Sequence, residues 1–232
     1  MLEWKLGLRI LMITGHPDDE SYLASGMLYK NCQAGGKNFL ICASLGERGT
    51  SKLRIPMKPA AVKKLRKHEL LAVSRFLKIS KCYDLNYPDG AVRKYLKPWL
   101  KKSAEIAGKH KPDVIVGFGP DGISGHLDHC AAHLVAKQLA HKLKLPFYMF
   151  TVPPTIRKDF AKWVKLRRAT GKYTHNKLTY KKANCKVTID PKVKLKALSF
   201  HKSQLDPNNP FHGYPAGVAR ELIKAEYFVL EN

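Results

Sequence analysis

The residues best suited to chemistry stand in two short motifs, each at the end of an apolar run. His16-Pro17-Asp18-Asp19 follows the run 8–14, and His126-Leu127-Asp128-His129 follows the run 113–118 and a glycine-rich loop. Runs of this length and Ile/Val/Leu content predict buried strands. In open parallel α/β sheets, ligand sites lie beyond the carboxyl ends of the strands. The two motifs therefore predict one shared site at a single edge of a sheet.

The residue types in these motifs match the ligands that a catalytic zinc prefers. Such an ion typically takes three protein ligands from His and Asp or Glu, and it leaves one position for water. Either motif alone has an ordinary alternative, since His-Pro-Asp-Asp is also compatible with a polar turn that caps a helix. The pair is more specific than its parts, because two strand ends can supply a set of ligands that neither supplies alone.

A nucleotide site is the competing interpretation of the glycine-rich loop. Residues 117–122 match Gly-x-Gly-x-x-Gly, but the loop does not belong to the opening strand–turn–helix unit. Pro120 and Asp121 extend the loop instead of starting a helix, and no acidic residue stands between His129 and Asp159 to hold a ribose. We therefore interpret it as a mobile loop over the site.

Together the motifs resemble the signature of the zinc-dependent de-N-acetylases of the PIG-L/LmbE type. The resemblance covers most of the chain and weakens between about residues 155 and 186. It implies one zinc ion per chain, held by His16, Asp19 and His129, whose positive charge lowers the pKa of bound water to about 7. It further implies that Asp18 is the general base and that His126 steadies the oxyanion or protonates the leaving amine.

The resemblance also implies a set of supporting residues. Asp89 and Asp128 would orient His126 and His129, and Arg66 would reach the active site from a helix. Two further candidates on the substrate side are Glu47 and His201. Glu47 lies in a Gly-Glu-x-Gly-like turn, and His201 lies in a late Ala-Leu-x-x-His-x-Ser-Gln motif that is expected to be a helix. Each has an ordinary alternative: a turn residue, a surface ion pair, a solvated loop or a packing histidine. Ser124 stands where some relatives carry an oxyanion-stabilising tyrosine, and a serine is too short for the same reach.

Composition narrows the class of protein. The chain has 232 residues, a net charge of +24 and five scattered cysteines without Cys-x-x-Cys spacing. Scattered thiols favour a reducing, cytoplasmic setting and argue against a structural zinc finger. We find no secretory signal and no run of about 18 apolar residues that could span a membrane. The charge permits a nucleic-acid or anionic partner, but the lysines are dispersed instead of concentrated beside aromatic residues.

These patterns predict a single α/β domain over residues 1–232: a Rossmann-like, mostly parallel sheet with helices on both faces and a basic C-terminal elaboration. Residues 155–186 are expected to form a variable, basic segment beside the substrate, with a helix over 157–168 and an edge strand over 186–189. The expected substrate is a small N-acetylated amino sugar of the N-acetylglucosamine type or a glycoconjugate, possibly anionic. The alternatives are an amide hydrolase of the same fold with a non-sugar substrate, or a nucleic-acid-binding protein without activity. A homo-oligomer is compatible with each of these functions.

Overall fold

The computed structural model describes residues 2–50, 53, 55–169, 177–206 and 208–231, without the side chains of 167–169. Over these residues the chain forms one eight-stranded sheet and seven α-helices. The strands are β1 Leu2–Glu3, β2 Arg9–Thr14, β3 Lys37–Ser44, β4 Ile79–Tyr87, β5 Val114–Phe118, β6 Phe147–Phe150, β7 Cys185–Thr188 and β8 Ala225–Glu231. The helices are α1 Asp19–Gln33, α2 Pro59–Phe76, α3 Leu96–His110, α4 Leu127–Leu143, α5 Pro154–Ala169, α6 Pro191–Leu198 and α7 Ala216–Leu222.

The strand order places the two predicted motifs side by side. The order is β1-β7-β8-β6-β5-β2-β3-β4, and β8 alone runs antiparallel to its neighbours. The chain moves from β2 to β3 in one direction and from β5 to β6 in the other, so the switch point of the topology lies between β2 and β5. Because such crossovers are almost always right-handed, α1 and α4 lie on opposite faces of the sheet. The predicted α/β class with a mostly parallel sheet is confirmed.

The central strands are apolar along their whole length because helices cover both of their faces. The side chains of Ile10, Leu11, Met12 and Ile13 in β2 are fully buried, as are nearly all those of β3 and β5. A parallel sheet covered on both sides selects continuous Val/Ile/Leu runs instead of alternating ones. This is why the sequence pattern locates these strands well.

Two predicted elements differ from the structure. β7 is not an edge strand, because Leu2–Glu3 pairs with it in parallel and takes the edge position. The late motif around His201 is not helical either: α6 ends at Leu198, and turns follow it. The hydroxyl of Ser199 donates to the carbonyl of Lys196, which competes with continuation of the helix.

A buried ion pair ties α1 to α6 and β8. The Glu226 carboxylate accepts hydrogen bonds from the backbone N–H groups of Gly26 and Met27 at 2.9 and 2.8 Å. The Lys194 ammonium lies 2.7 Å from Glu226 Oε1 and donates to the carbonyl of Tyr22 at 2.7 Å. The pair therefore holds α1 one to two turns beyond its first residue, Asp19.

Among the helices of the described residues, none is long and apolar enough to span a membrane.

Candidate active site and metal centre

Three ligand atoms converge at the switch point of the sheet. His16 lies in the turn after β2, Asp19 opens α1, and His129 stands in the first turn of α4. His16 Nδ1 lies 3.1 Å from His129 Nε2, and Asp19 Oδ1 lies 3.3 Å from the same nitrogen. Ligand atoms about 2.1 Å from a tetrahedral zinc are about 3.4 Å apart. The two distances to His129 Nε2, together with two imidazoles and one carboxylate, fit a bound zinc ion.

The hydrogen bonds of the His16 and His129 rings leave one nitrogen lone pair of each ring directed at the candidate metal position. His129 Nδ1 lies 3.1 Å from the carbonyl oxygen of Gly122, which can only accept, so this nitrogen carries the proton and Nε2 the lone pair. His16 Nε2 faces carboxylate oxygens of Asp89 and Asp128 at 3.1 and 3.2 Å, which leaves Nδ1 as the lone pair of the neutral ring. Two lone pairs 3.1 Å apart require a proton or a cation between them.

Asp89 and Asp128 therefore orient His16. The sequence led us to expect them against His126 and His129, but the carboxylate contacts of the structure go to the His16 ring. Burial opposes the charged form of His16, yet hydrogen bonds from its ring to Asp128 and Asp89 raise its pKa well above the ordinary value. Burial likewise opposes ionisation of Asp89, and the bond from His16 outweighs it and lowers the pKa of that carboxyl.

Two neighbouring loops hold these carboxylates in place. The backbone N–H of Gly90 donates to Asp128 Oδ2 at 2.7 Å, and that of Arg48 donates to Asp89 Oδ2 at 2.9 Å. Glu47 Oε1 accepts from the N–H of Asp89 at 3.1 Å. Glu47 thus fixes the loop that carries Asp89.

Replacing Asp128 by asparagine should weaken metal binding about 10- to 100-fold, because the neutral amide polarises the His16 ring less than a carboxylate does. Competition with a chelator of known affinity measures this directly. Asp113→Asn is the control, since that carboxylate pairs with Arg9 at the opposite edge of the sheet. Equal metal affinity in both variants would contradict the supporting role of Asp128.

Asp18 and Asp19 are neighbours in sequence but occupy different environments. Asp19 Oδ2 accepts the backbone N–H groups of Gly15 and His16 at 2.9 and 2.8 Å. Burial opposes its charge, but His129 outweighs this and lowers the pKa of Asp19. Burial raises the pKa of Asp18 to about 6, against the opposing charge of Arg66. When two neighbouring carboxyl groups have pKa values shifted in opposite directions, they typically have different roles in acid–base catalysis.

The backbone of Asp18 is in the left-handed region, with φ at 103°. A non-glycine residue there is uncommon, and such conformations cost about 1–3 kcal/mol each. Asp18 also ends the turn that presents its side chain to the cavity described below. The strain is thus located at a residue that the motif singles out.

Arg66 is buried between the loops that follow β2 and β3. Its guanidinium donates to the carbonyls of Pro17 and Gly46 at 2.5 and 2.9 Å, and Nη2 lies 3.4 Å from Asp18 Oδ2. Gly46 has a φ of 65°, and a Cβ at this position would overlap the guanidinium. Arg66 therefore reaches the site as expected, and it also fixes the turn that carries Asp18.

His126 is positioned as a neutral hydrogen-bond donor. Its Nδ1 accepts the backbone N–H of Asp128 at 3.2 Å, so the proton of the neutral ring is on Nε2. Burial and then the positive charge of His16 lower its pKa to about 3. Its ring centre is 4.9 Å from that of His16 and 5.0 Å from that of His129. Nitrogens of these three histidines lie within 4.8 Å of one another, so His126 is near enough to act on the same ligand.

His201 lies beneath the turn and away from the cavity. It is fully buried, with Nε2 2.8 Å from Glu20 Oε1 and 3.1 Å from Ser21 Oγ. Burial opposes its protonation, and Glu20 outweighs this and raises its pKa. It supports the first turn of α1 and does not line the cavities that contain Asp18.

The convergent groups open into a cavity of about 360 Å³. Phe118 stacks on the His129 ring at 4.2 Å, and Ser124 Oγ lies 3.5 Å from His129 Nδ1. Sequence reasoning missed Phe118, and it did not predict that Tyr22, Trp163 and Tyr214 together form an aromatic wall of the cavity, although it placed the segment that contains Trp163 beside the substrate. These rings come from three distant segments, and no local motif connects them.

The chain belongs to the class of α/β proteins with an open sheet, and its His/Asp cluster at the switch point of the sheet is a candidate metal centre. Within that class, the model of the PIG-L family, described as GlcNAc-PI de-N-acetylase, matches residues 11–140, and the chain belongs to this family. The matched span contains both motifs.

Relatives and solved structures of other proteins are similar over most of the chain. A 1D-myo-inositol 2-acetamido-2-deoxy-alpha-D-glucopyranoside deacetylase of Corynebacterium diphtheriae is 25% identical over 169 residues, 64% of this chain and 58% of the relative. The chain thus spans somewhat more than half the length of this relative. The N,N'-diacetylchitobiose deacetylase of Pyrococcus horikoshii has a TM-score of 0.67 at 22% identity, covering 96% of this chain and 83% of that one.

A protein with different chemistry has the same fold. The 4-carboxy-2-hydroxymuconate hydratase GalB of Pseudomonas putida KT2440 has a TM-score of 0.68 at 17% identity, with 97% of each chain covered. The function must therefore be argued from the site and not from the fold.

Proposed function

We propose that this protein is a zinc-dependent hydrolase that removes the acetyl group from an N-acetylglucosamine-type amino sugar or sugar conjugate. The observation that carries the proposal is the position of His16 Nδ1 and Asp19 Oδ1, which lie 3.1 and 3.3 Å from His129 Nε2. Beside them Asp18, whose backbone is strained, lines the cavity. Membership of the PIG-L family and the deacetylase names of relatives support the same chemistry.

Each residue of the site has a role that its environment supports. A zinc ion held by His16, Asp19 and His129 would supply Lewis acidity and a water of lowered pKa. Asp18, with a pKa near 6, is ionised at neutral pH and accepts a proton from water.

The neutral His126 supplies a donor from Nε2 to the oxygen of the acetyl group or to the departing amine. Arg66 keeps Asp18 in place.

Acetate release from a panel of N-acetylated compounds tests this function. The panel contains N-acetylglucosamine, its phosphorylated and lipid-linked derivatives, glycosides of it, and non-sugar acetamides as matched controls. We expect release from sugar substrates, loss of release after chelation, and recovery on adding zinc. Release from the non-sugar amides alone would assign a different amide hydrolase to the same scaffold. Release that is insensitive to chelation would contradict the metal centre.

We also propose that the basic segment from Arg157 to Lys182 attracts anionic substrates. Part of this segment, including Tyr173, lies outside the described residues. Within the described part, Lys177, Lys181 and Lys182 are exposed and do not line the cavity. Their effect would therefore be long-range attraction, which salt screens, and not direct contact.

Replacing Lys177, Lys181 and Lys182 by glutamine should raise KM for a phosphorylated substrate several-fold more than for its neutral analogue. Kinetics at low and high salt measure the difference. The equivalent triple variant of Lys97, Lys101 and Lys102 on α3 has the same charge change outside the segment and is the control. Equal changes for both substrates would leave the lysines as a solvated surface.

A further inference from the structure

The peptide group between Pro17 and Asp18 is held from both sides. Its carbonyl accepts a hydrogen bond from Arg66, and its N–H donates to Glu20 Oε2 at 3.1 Å. The next carbonyl, that of Asp18, accepts two N–H groups in the first turn of α1 at 3.0 Å. Because both peptide groups are fixed, Asp18 keeps its positive φ of 103°.

Rotation of the peptide group between Pro17 and Asp18 would relieve this strain. A half-turn would return φ of Asp18 to the ordinary negative range. It would also turn the Pro17 carbonyl away from Arg66, whose Nη2 lies 3.4 Å from Asp18 Oδ2. The bond to Glu20 therefore opposes a rearrangement that would release the Asp18 carboxylate from its position in the cavity.

Glu20 is itself fixed by a distant segment of the chain. It is fully buried, and its Oε1 accepts the Ser21 hydroxyl at 2.7 Å and lies 2.8 Å from His201 Nε2. Because a carboxylate oxygen can only accept, the His201 nitrogen carries the proton of this bond. His201 stands in the turns that follow α6, 181 residues beyond Glu20. These turns thus hold the acceptor of the Asp18 N–H.

The hydrogen bonds of His201 argue against a role in packing alone. A buried histidine that only fills space usually finds a partner for each ring nitrogen. Among the described residues, none bonds to the buried Nδ1 of His201. Burying a polar atom without a partner is costly, so an apolar side chain of similar volume would serve packing better. What the ring contributes here is the donor at Nε2.

We propose that His201 is a positioning residue for Asp18. By fixing Glu20, it keeps the peptide group between Pro17 and Asp18 in the orientation that holds the Asp18 carboxylate in the cavity. Within the described residues, the side-chain hydrogen bonds of His201 go to Glu20 and Ser21, so it acts on Asp18 indirectly. The catalytic half of this inference rests on the proposed function, whereas the backbone conformation of Asp18 can be measured without any reaction.

The stability difference between alanine and glycine at position 18 reports the sign of φ there. Glycine is the less stable of the two where φ is negative, and the more stable in the left-handed region, where a Cβ is strained. In urea denaturation of metal-free protein, Asp18→Gly should therefore have a higher midpoint than Asp18→Ala. Adding His201→Met, which keeps the volume but has no donor, should abolish or reverse this glycine advantage.

His201→Gln and Ser203→Ala are the matched controls, and both should keep the glycine advantage. The amide nitrogen of glutamine can replace Nε2 as the donor. Ser203 ties the same turns to α2, since its N–H and hydroxyl donate to Glu69 at 2.8 and 2.6 Å. Ser203→Ala therefore loosens the turns without removing the donor to Glu20.

His201→Met leaves the Glu20 carboxylate buried without a partner, which is costly to stability. If that variant does not fold, His201→Met combined with Glu20→Leu replaces it. This pair of changes removes the buried charge together with the acceptor of the Asp18 N–H, so the same loss of the glycine advantage is expected.

In kinetics with the zinc-loaded protein, His201→Met should lower kcat about 10- to 100-fold, because a misplacement of about 1 Å can cost that much. KM and metal content should not change, and His201→Gln should retain most of the activity. In the Asp18→Asn background, His201→Met should cause no further loss of kcat, since the carboxylate through which it acts is already absent.

The outcomes separate the positioning role from the activity. A glycine advantage that survives His201→Met, or that is lost equally in His201→Met and Ser203→Ala, overturns the positioning role. So does a further loss of kcat in the Asp18→Asn background. Loss of the advantage in His201→Met alone supports the role even if none of the N-acetylated compounds is hydrolysed, in which case the proposed function fails alone.

Discussion

Asp18→Asn should lower kcat by about 10²–10⁴-fold while the protein keeps its metal, because the amide retains the size of the side chain but cannot accept a proton. The structure separates this residue from the ligands: its pKa is raised to about 6 by burial, and its carboxylate faces Arg66 and the cavity. Asparagine also tolerates the left-handed backbone at this position, so the exchange adds little strain.

Asp19→Asn is the informative counterpart. Asp19 Oδ1 lies 3.3 Å from His129 Nε2, and its other oxygen is held by two backbone N–H groups. Loss of this charge should therefore release the metal as well as the activity. Metal content by elemental analysis and kcat are measured on the same preparations of both variants, with Asp113→Asn as the control.

Two results would reverse these assignments. Near-normal kcat in Asp18→Asn contradicts its role as the base. Metal loss in Asp18→Asn as complete as in Asp19→Asn shows that the two roles were given to the wrong carboxylates.

The sequence predicted the scaffold of the site because that scaffold is local. The strands β2 and β5 are continuous apolar runs, and each motif follows directly in the chain, so their placement needed no knowledge of distant contacts. The parallel arrangement then brings two strand ends to one edge, which is why His16 and His129 could be paired across 112 intervening residues.

The parts that the sequence did not predict depend on contacts between distant segments. His201 looked like a substrate residue, yet the turns after α6 bury it against Glu20 on α1. Asp89 and Asp128 were expected beside other histidines, and the loop conformation that directs them to His16 depends on backbone bonds from Gly90 and Arg48. No pattern in the chain indicates which ring nitrogen a carboxylate will face.

The Lys194–Glu226 pair is another long-range feature, and it links α1, α6 and β8. Both side chains are 1% exposed. Burial lowers the pKa of Lys194, and Glu226 opposes this. Removing one partner of a buried pair leaves the other charge without compensation, which typically costs about 3–5 kcal/mol. The loss would fall on α1, since Tyr22, Gly26 and Met27 all bond to the pair.

Lys194→Met should therefore lower the free energy of unfolding by about 3–5 kcal/mol, and Lys194→Met combined with Glu226→Gln should lower it less, because the second change removes the uncompensated carboxylate. Urea denaturation of the metal-free variants measures both, which keeps the stabilising effect of a bound ion out of the comparison.

Lys192→Met, an exposed position on the same helix, should change stability by no more than about 0.5 kcal/mol. If the single Lys194 variant is as stable as Lys192→Met, the pair contributes nothing to the anchoring of α1. If the double variant is less stable than the single one by the full cost of a second charge, the two residues act independently and not as a pair.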